Sequence, residues 1–258
     1  MLLVIDVGNT NTVLGIFDED RLVEHWRLTS SRSSTTDEYG ILLKTLFDMS
    51  HVDMKQITGC IIACVVPPML PIYEEMVRRY FKLTPLVVGP GVRTGMPILY
   101  ENPREVGADR IVNAVAAFEI FKDACIVVDF GTALTFDAIS GRGEYLGGAI
   151  SPGLAIAADA LYARASRLPK IELRPPERVI GRNTVASMQS GMIHGYTALV
   201  DGMVRKIIEE YGAPMRAIAT GGLARVIAEA STTIDSVDDN LTLDGLRILF
   251  ERNTRASG

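Results

Sequence analysis

The sequence is poor in cysteine, histidine and tryptophan, and it contains no long hydrophobic run. It has three cysteines, three histidines and one tryptophan in 258 residues. Each cysteine (Cys60, Cys64 and Cys125) lies in an apolar segment, so we expect buried free thiols in a reducing compartment. No apolar stretch reaches the roughly 18 residues of a membrane-spanning helix. The first residues lack the basic region and cleavage site of a signal peptide, which predicts a cytoplasmic protein.

The sequence also lacks an excess of positive charge: 31 Asp and Glu residues outnumber 26 Lys and Arg residues, which gives a formal net charge of −5 at pH 7. Non-specific nucleic-acid binding requires a basic surface, so the charge argues against such a partner. A phosphate ligand would have to be held by backbone N–H groups and a metal ion. With 48% hydrophobic and 22% charged residues, the composition is that of an ordinary globular protein of one large domain or two smaller ones.

The first dozen residues combine a buried strand with a polar turn. The apolar run 2–5 leads into Asp6-Val7-Gly8-Asn9-Thr10-Asn11-Thr12, and a second apolar run begins at Val13. This pattern predicts a strand, a tight turn and a returning strand. Gly8 lets backbone N–H groups approach a ligand, and a carboxylate beside small donors suits a hydrated metal–phosphate group. The alternative is a plain hairpin turn with Asx hydrogen bonds.

The same pattern recurs about half a chain later. The apolar run 126–128 leads into Asp129-Phe130-Gly131-Thr132-Ala133, and strands are predicted at 134–139 and 145–150. Each half therefore opens with three consecutive strands, whereas a dinucleotide-binding Rossmann fold alternates strand and helix from its start. Two matching Asp-x-Gly turns indicate an internal duplication, which predicts an α/β protein with domains at 1–115 and 116–258.

Periodicity and turn residues predict the other elements. We expect strands at 21–29, 57–66, 85–88 and 215–219, and helices at 37–49, 68–81, 111–121, 151–163, 184–211, 223–230 and 241–250. The basic, proline-containing segment 164–182 is predicted to be a solvated surface loop. Gly191, Gly195 and Gly202 each cost about 1 kcal/mol in a helix interior, which suggests close packing against a neighbour such as a second subunit.

Asp109 lies between the halves, within Gly107-Ala108-Asp109-Arg110 and just before a predicted helix. An N-cap is one interpretation, because Asp is favoured at that position. Capping explains neither Arg110 nor the small residues that precede Asp109. The residues alone therefore leave both a structural and a functional role open.

Six short motifs occur in order along the chain, and together they resemble the type III pantothenate kinases. They are Asp6-x-Gly8-Asn9-Thr10, Gly107-Ala108-Asp109-Arg110, Asp129-Phe130-Gly131-Thr132-Ala133, Gly147-Gly148-x-Ile150-x-Pro152-Gly153, Gly181-Arg182-Asn183-Thr184 and Thr220-Gly221-Gly222. This family belongs to the superfamily of acetate and sugar kinases, heat-shock ATPases and actin. The resemblance extends over about residues 1 to 250. It implies two ribonuclease-H-like domains facing each other across a nucleotide cleft, a homodimer, and ATP-dependent phosphorylation of pantothenate to 4′-phosphopantothenate, the first committed step of coenzyme A synthesis.

The resemblance also implies which residues contact the nucleotide and the metal ions. The first turn holds the ATP phosphates with Asp6 near Mg²⁺, and Thr132 is similar to a second ATP contact. Asp129 matches the residue that holds a monovalent cation, K⁺ or NH₄⁺. The implied nucleotide contacts are Asp6, Val7, Gly8, Asn9, Thr10, Asn11, Thr12, Val13, Thr132, Thr220, Gly221 and Gly222.

For pantothenate, the resemblance implies that Asp109 is the general base that accepts the proton of the substrate hydroxyl. Arg110 beside it can hold a carboxylate or phosphate bidentately. The implied pantothenate contacts are Tyr100, Gly107, Ala108, Asp109, Arg110 and Thr184. Structural alternatives exist for several positions: Tyr100 as a rim aromatic, Thr184 as a helix cap and Asp129 as a turn former.

Two other functions are compatible with the same fold. One is a non-catalytic accessory protein for transcription, as some relatives of these kinases have been described. The other is a kinase for another small alcohol, because fold does not fix the substrate. The presence of Asp6, Asp109 and Asp129, with the negative net charge, favours the pantothenate kinase. We therefore expect ATP and pantothenate as partners, with no nucleic acid and no membrane.

Overall fold

The computed structural model describes Met1–Thr254, and these residues form two compact units. The first unit contains Met1–Gly95, Glu101–Ala116 and the described residues from Thr242 onward. The second contains Met96–Tyr100 and Ala117–Leu241. Within the described residues, no helix is both long enough and apolar enough to cross a membrane.

Within residues 1–254, ten strands form two five-stranded mixed sheets. The strands are β1 (Leu2–Val7), β2 (Asn11–Asp18), β3 (Arg21–Thr29), β4 (Gly59–Cys64), β5 (Leu86–Val87), β6 (Cys125–Phe130), β7 (Ala133–Ile139), β8 (Tyr145–Pro152), β9 (Arg216–Thr220) and β10 (Ser236–Val237). The helices are α1 (Thr36–Met49), α2 (Leu70–Met76), α3 (Ala108–Phe121), α4 (Leu154–Arg164), α5 (Thr184–Tyr211), α6 (Ala224–Ala228) and α7 (Leu241–Thr254).

The two sheets have the same topology, which confirms the predicted duplication. The first has the order β3-β2-β1-β4-β5, and the second, taken from its other edge, has the order β8-β7-β6-β9-β10. In each sheet the opening strand pairs antiparallel with the next strand and parallel with the fourth. The three-strand opening arises because a tight polar turn can join antiparallel neighbours, whereas a parallel neighbour needs a longer crossover.

The first sheet is covered by helices on both faces. Leu3, Ile5 and Val7 alternate along β1 toward a core that also includes side chains of α1 and α2. Helix α7 packs on glycines of β2 and β4. A Cβ on Gly15 of β2 would lie 3.1 Å from the Leu243 side chain, and the Phe250 ring packs on Gly59 of β4. These contacts place α7 in the first unit, whereas the predicted boundary assigned 116–258 to the second domain.

The second sheet packs mainly against the long helix α5. Ile126, Val128 and Phe130 of β6 face a core that contains Ile193, Val200 and Val204 of α5. Buried apolar residues lie at helical spacing along one face of α5 and at every second position of β6. The helix therefore packs as a layer on one face of the sheet. The loop 165–183 between α4 and α5 contains no regular element.

Several elements differ from the sequence prediction. The predicted 68–81 helix is divided into a 3₁₀ turn at Pro67–Met69, α2, and a π-helical turn at Val77–Phe81 that ends at Lys82 with a left-handed φ of 59°. Prolines at 67, 68 and 71 lack an N–H donor, which favours an irregular start. The two-residue strand β10 was not predicted, because so short an edge strand has no alternating pattern. Cys60 and Cys125 are buried as expected, while Cys64 is only half-buried.

Candidate functional site

In the first unit, the turn after β1 is closed by its own backbone. The Gly8 N–H donates to Asn11 O at 3.0 Å, directly beyond the last β1–β2 pair, Val7 with Thr12. A Cβ on Gly8 would lie 2.8 Å from that same oxygen, so a side chain here would force the turn open. Asn9 and Thr10 are exposed at the tip. The turn therefore presents small polar residues on a tightly fixed backbone, as a phosphate site requires.

Ser30, just after β3, supports this turn from behind and was not identified from the sequence. Its N–H donates to Thr10 O at 3.0 Å, and its hydroxyl donates to Gly8 O at 2.6 Å. The antiparallel pairing of β2 with β3 brings residue 30 beside residue 10, since Asn11 pairs with Thr29. Strand register was thus the signal that could have revealed Ser30.

Asp109 lies in the first turn of α3, which begins at Ala108 rather than at the predicted residue 111. Its Oδ1 accepts the N–H of Arg110 at 2.8 Å. An N-cap residue precedes the helix and accepts N–H groups two or three residues on, so Asp109 is not the N-cap. A Cβ on Gly107 would lie 2.5 Å from Asp109 Oδ1, so glycine at 107 makes room for the carboxylate.

Burial is the main influence on the Asp109 carboxyl group. Desolvation raises its pKa, and the N–H and the positive charge of Arg110 oppose that rise only in part. A carboxylate with a raised pKa is a better proton acceptor than an ordinary surface Asp, because its pKa is closer to neutral pH. The local environment of Asp109 is therefore suited to general-base chemistry.

Val65 connects the first turn with the Asp109 segment within the first unit. Its N–H donates to Val7 O at 3.0 Å, and its Cγ1 lies 3.8 Å from a Cβ position on Gly107. Since β1 and β4 are parallel, their carboxyl ends meet at one edge of the sheet. Both the Asp-x-Gly turn and the start of α3 thus border the same residue at that edge.

In the second unit, the Asp129-x-Gly131 turn is held by backbone contacts. The Gly131 N–H donates to Ala133 O at 3.1 Å, and the Gly153 N–H at the start of α4 donates to Thr132 O at 3.1 Å. A Cβ on Gly153 would lie 2.5 Å from Thr132 O, so only glycine allows this approach. Thr132 itself is exposed.

The Thr220-Gly221-Gly222 turn packs directly on Asp129. Parallel pairing of β6 with β9 sets Asp129 opposite Thr220. Gly221 has a φ of +96°, and a Cβ there would lie 2.8 Å from Asp129 Oδ1 and 2.7 Å from Phe130 O. Both the backbone conformation and the space therefore require glycine. The structure thus brings together three of the predicted pieces of the second unit: Asp129, the Gly131-Thr132 turn and Gly221.

Thr184 is the first residue of α5 and lines a cavity of about 620 Å³ within the second unit. The N-cap of α5 is Asn183, whose side chain accepts the Ala186 N–H at 2.8 Å, so Thr184 is not needed as the cap. The other lining residues come from α4, the 165–183 loop and α5: Leu161, Leu168, Gly181, Arg182, Asn183, Ser187, Met188, Gly191 and Met192. Part of the predicted surface loop therefore forms a cavity wall.

Tyr100 lies over β8, also in the second unit. Its ring is 3.6 Å from a Cβ position on Gly147, and its centroid is 6.4 Å from that of Tyr145. The Tyr145 hydroxyl in turn donates to the buried carboxylate of Asp137 at 2.6 Å. Tyr100 and Thr184 are thus not among the groups packed on Asp129.

The donor set limits how a metal ion could be bound. Among residues 1–254 there is no cluster of three or more His, Cys, Asp or Glu side chains able to hold a metal. Mg²⁺ commonly uses one or two carboxylates and substrate phosphates rather than an all-protein cage. The half-buried Asp6 beside the first turn fits that mode of binding.

Comparisons with known proteins identify similar sequences over almost the whole chain. Residues 2–206 match the family model described as type III pantothenate kinase. A type III pantothenate kinase of Anaeromyxobacter sp. (strain Fw109-5) is 58% identical over 253 residues, covering 98% of this chain and 100% of that protein. One from Syntrophus aciditrophicus (strain SB) is 56% identical over 254 residues, with coverage of 98% and 100%.

Solved structures share the fold at low identity. A protein described as a Baf family transcriptional activator from Campylobacter jejuni has a TM-score of 0.62 at 18% identity, covering 98% of this chain and 99% of the other. An inorganic polyphosphate/ATP-glucomannokinase from Arthrobacter sp. strain KM has a TM-score of 0.52 at 13% identity, with coverage of 97% and 98%. At such identities the likeness concerns the fold alone.

Proposed function

This chain belongs to the type III pantothenate kinase family, and on that premise we propose which of its residues carry out the reaction. The protein phosphorylates pantothenate with ATP, at the entry to coenzyme A synthesis. Phosphoryl transfer depends mostly on positioning and charge stabilisation. The single observation that carries the assignment is that a fixed Asp-x-Gly turn and the half-buried Asp109 lie at the same edge of the first sheet, where both border Val65.

The first turn binds the ATP phosphates. Its backbone is fixed by the Gly8–Asn11 hydrogen bond and by Ser30, so its small donors are in place before the nucleotide arrives. Asp6 would hold Mg²⁺ together with the ATP phosphates, and the bound ion would neutralise charge on the transferring phosphate. In the second unit, Thr132 contacts ATP, and Gly221 and Gly222, which carry no side chains, leave space for the adenosine.

Asp109 accepts the proton of the pantothenate hydroxyl as that oxygen attacks the terminal phosphorus. The oxygen–phosphorus bond forms as the bond to the ADP leaving group breaks, and the proton passes to Asp109 Oδ. Arg110, in the same helical turn, binds an anionic group of the substrates. Tyr100, Gly107, Ala108 and Thr184 contact pantothenate, and the cavity at Thr184 supports that role in the second unit.

Asp129 holds the monovalent cation. Its carboxylate is fixed against Gly221, where a Cβ would lie 2.8 Å from Oδ1, which keeps an oxygen ligand beside the adenosine turn. Titration of activity with KCl in wild type and Asp129→Asn tests this. The variant should need at least tenfold more K⁺ for half-maximal rate, and an unchanged K⁺ requirement would contradict the assignment.

Replacement of Asp109 by Asn tests the base. We expect kcat to fall by several orders of magnitude in a coupled ADP-release assay, with the KM for ATP nearly unchanged. In the wild type, kcat/KM should fall as pH drops through the raised pKa of Asp109. Near wild-type turnover in Asp109→Asn would exclude it as the base.

The stability of Asp109→Asn is the control for that experiment. Burial raises the folded-state pKa of Asp109, so the folded protein binds this proton more tightly than the unfolded chain. Stability is therefore lost as pH rises from the unfolded pKa through the raised one. The Asn variant should thus unfold at pH 7 at the same or a higher urea concentration than the wild type, so lost activity cannot be attributed to unfolding.

Two features of the second unit support a homodimer: the glycines of α5 and a set of exposed apolar side chains. Apart from the adjacent backbone of α5 itself, no described atom lies within 4 Å of the Cβ positions on Gly191, Gly195 and Gly202, so packing against other parts of the described chain does not account for these glycines. Apolar side chains are exposed on or near α4 and the start of α5: Ile150, Ile156, Leu161, Tyr162, Val179, Ile180 and Val185. Light scattering should give twice the monomer mass, and Ile180→Glu should reduce it, whereas a monomeric wild type would contradict the dimer.

A further inference from the structure

Three hydroxyl groups form a continuous chain beneath the first turn. The Tyr73 hydroxyl lies 3.2 Å from Thr12 Oγ1, Thr12 Oγ1 lies 3.0 Å from Ser30 Oγ, and Ser30 Oγ lies 2.6 Å from Gly8 O. Tyr73 and Thr12 are fully buried. The three residues are distant in sequence: Tyr73 lies on α2, Thr12 on β2, and Ser30 just after β3. Only the folded structure brings them together.

The direction of each of these three hydrogen bonds is determined by the last acceptor, the Gly8 carbonyl. A carbonyl oxygen can only accept, so Ser30 must give its single hydroxyl proton to Gly8 O. Thr12 must then donate to Ser30, and Tyr73 must donate to Thr12. Thr12 and Ser30 each accept one bond and donate one, and Tyr73 is the first donor, so none of the three hydroxyls can turn without breaking one of these contacts.

Ser30 thereby fixes two peptide groups of the turn. Its hydroxyl holds the Gly8 carbonyl, and its N–H holds the Thr10 carbonyl at 3.0 Å. In a planar trans peptide the C=O and the following N–H point in opposite directions. The N–H groups of Asn9 and Asn11 are consequently directed away from Ser30.

We infer that Ser30 is a positioning residue for the ATP phosphates and that the Tyr73–Thr12–Ser30 chain keeps the turn donors oriented before ATP binds. This inference rests on the proposed ATP role of the first turn. Pre-orientation matters because a turn whose peptides rotate freely loses part of its binding energy to ordering when the ligand arrives. Ser30 does not touch the reacting atoms, so its loss weakens ATP binding more than it slows the chemical step.

The main test is Ser30→Ala, with Ser33→Ala as a matched control. Ser33 lies in the same loop, and its hydroxyl pairs with Ser31 Oγ at 3.1 Å rather than with a carbonyl of the first turn. In steady-state assays Ser30→Ala should raise the KM for ATP about tenfold, with the KM for pantothenate and kcat changed less than twofold. Ser30→Thr, which retains the hydroxyl, should restore most of the ATP affinity, and Ser33→Ala should match the wild type.

Tyr73→Phe provides a second, independent variant with the same buried ring. It removes only the first donor of the chain, so we expect a two- to threefold increase in the KM for ATP. It remains informative if Ser30→Ala does not fold. Equal increases in the two KM values, or an unchanged ATP KM in both Ser30→Ala and Tyr73→Phe, would overturn the inference.

Asp6→Asn separates this inference from the ATP assignment on which it rests. If Asp6→Asn raises the KM for ATP while Ser30→Ala does not, the turn binds ATP without help from the hydroxyl chain, and only the inference fails. If neither change affects ATP binding, measured by calorimetric titration with ADP and Mg²⁺, the ATP assignment of the turn fails as well.

Discussion

The two Asp-x-Gly turns occupy equivalent places in duplicated sheets, yet they are stabilised in different ways. The first spans residues 8–11 beyond the Val7–Thr12 pair, and the second spans only 131–133 beyond the Phe130–Leu134 pair. Side-chain hydroxyls support the first turn from behind, ending with Ser30 on Gly8 O. In the second, the glycine backbones of Gly153 and Gly221 lie against the turn.

This difference separates what the two halves share from what is specific to each half. Strand order and pairing are the same in both sheets, since they follow from the alternation of apolar residues and the position of the turns. The means of fixing the peptide groups of each turn is local and differs between the copies. Hydroxyl contacts tolerate conservative replacement, whereas a close backbone contact tolerates no added Cβ.

The largest effect should come from Gly221→Ala in the second unit. The new Cβ would lie 2.7 Å from Phe130 O, at a φ of +96°. Conformational strain and overpacking together should lower the free energy of unfolding by about 3 kcal/mol. Urea denaturation measures this loss.

Gly212→Ala is the matched control for Gly221→Ala. Gly212 ends α5 with a φ of +76°, but a Cβ there would have nothing within 4 Å in the described residues. It should lose only the conformational term, about 1 kcal/mol. Equal losses in the two variants would mean that the contact with Phe130 is not important.

A smaller effect on stability should distinguish a buried carboxylate in the second unit, Asp201, from the neutral hydroxyl chain in the first unit. Burial alone would raise the pKa of Asp201 in α5, but hydrogen bonds from Ser231, Thr232 and Thr233 outweigh it and lower the pKa to about 2. This depressed pKa contributes stability above the ordinary value of 3.8, and the contribution is lost as pH falls toward 2. Asp201→Asn should therefore cost about 2 kcal/mol at pH 7 and progressively less in acid.

The hydroxyl chain of the first unit provides the comparison for Asp201. Tyr73→Phe removes a neutral donor, so its cost in unfolding free energy should be the same at pH 7 and pH 4. Urea denaturation at several pH values measures both variants. A cost of Asp201→Asn that does not change with pH would contradict the depressed pKa.

The smallest effects should come from the glycines at matching positions in the two turns. A Cβ on Gly8 would lie 2.8 Å from Asn11 O, whereas one on Gly131 would lie 3.4 Å from Ala133 O, an ordinary contact. Gly8→Ala should raise the KM for ATP about tenfold, and Gly131→Ala should change it less than twofold. The same steady-state assay measures both, and the reverse order would show that the second turn is the more constrained.

Much of the fold was predictable because its signals are local. The alternating pattern gave β3 as Arg21–Thr29, and the Asn183-Thr184 pair marked the start of α5. The start of α3 was placed three residues late, because Gly107 and Ala108 do not belong to the apolar periodicity on which the prediction depended. The predicted roles of the site residues came from motif order, and they stay predictions until variants are assayed.

What the sequence by itself determined is the duplicated architecture, the family and the two Asp-x-Gly turns. These depend on short-range patterns of apolar, glycine and carboxylate residues, which are visible without coordinates. Only the tertiary structure decided that α7 packs with the first unit, that Gly107 gives the Asp109 carboxylate its space, and that Tyr73, Thr12 and Ser30 meet beneath the first turn. Each of these depends on side chains far apart in sequence, whose approach is set by sheet register and packing rather than by local preference.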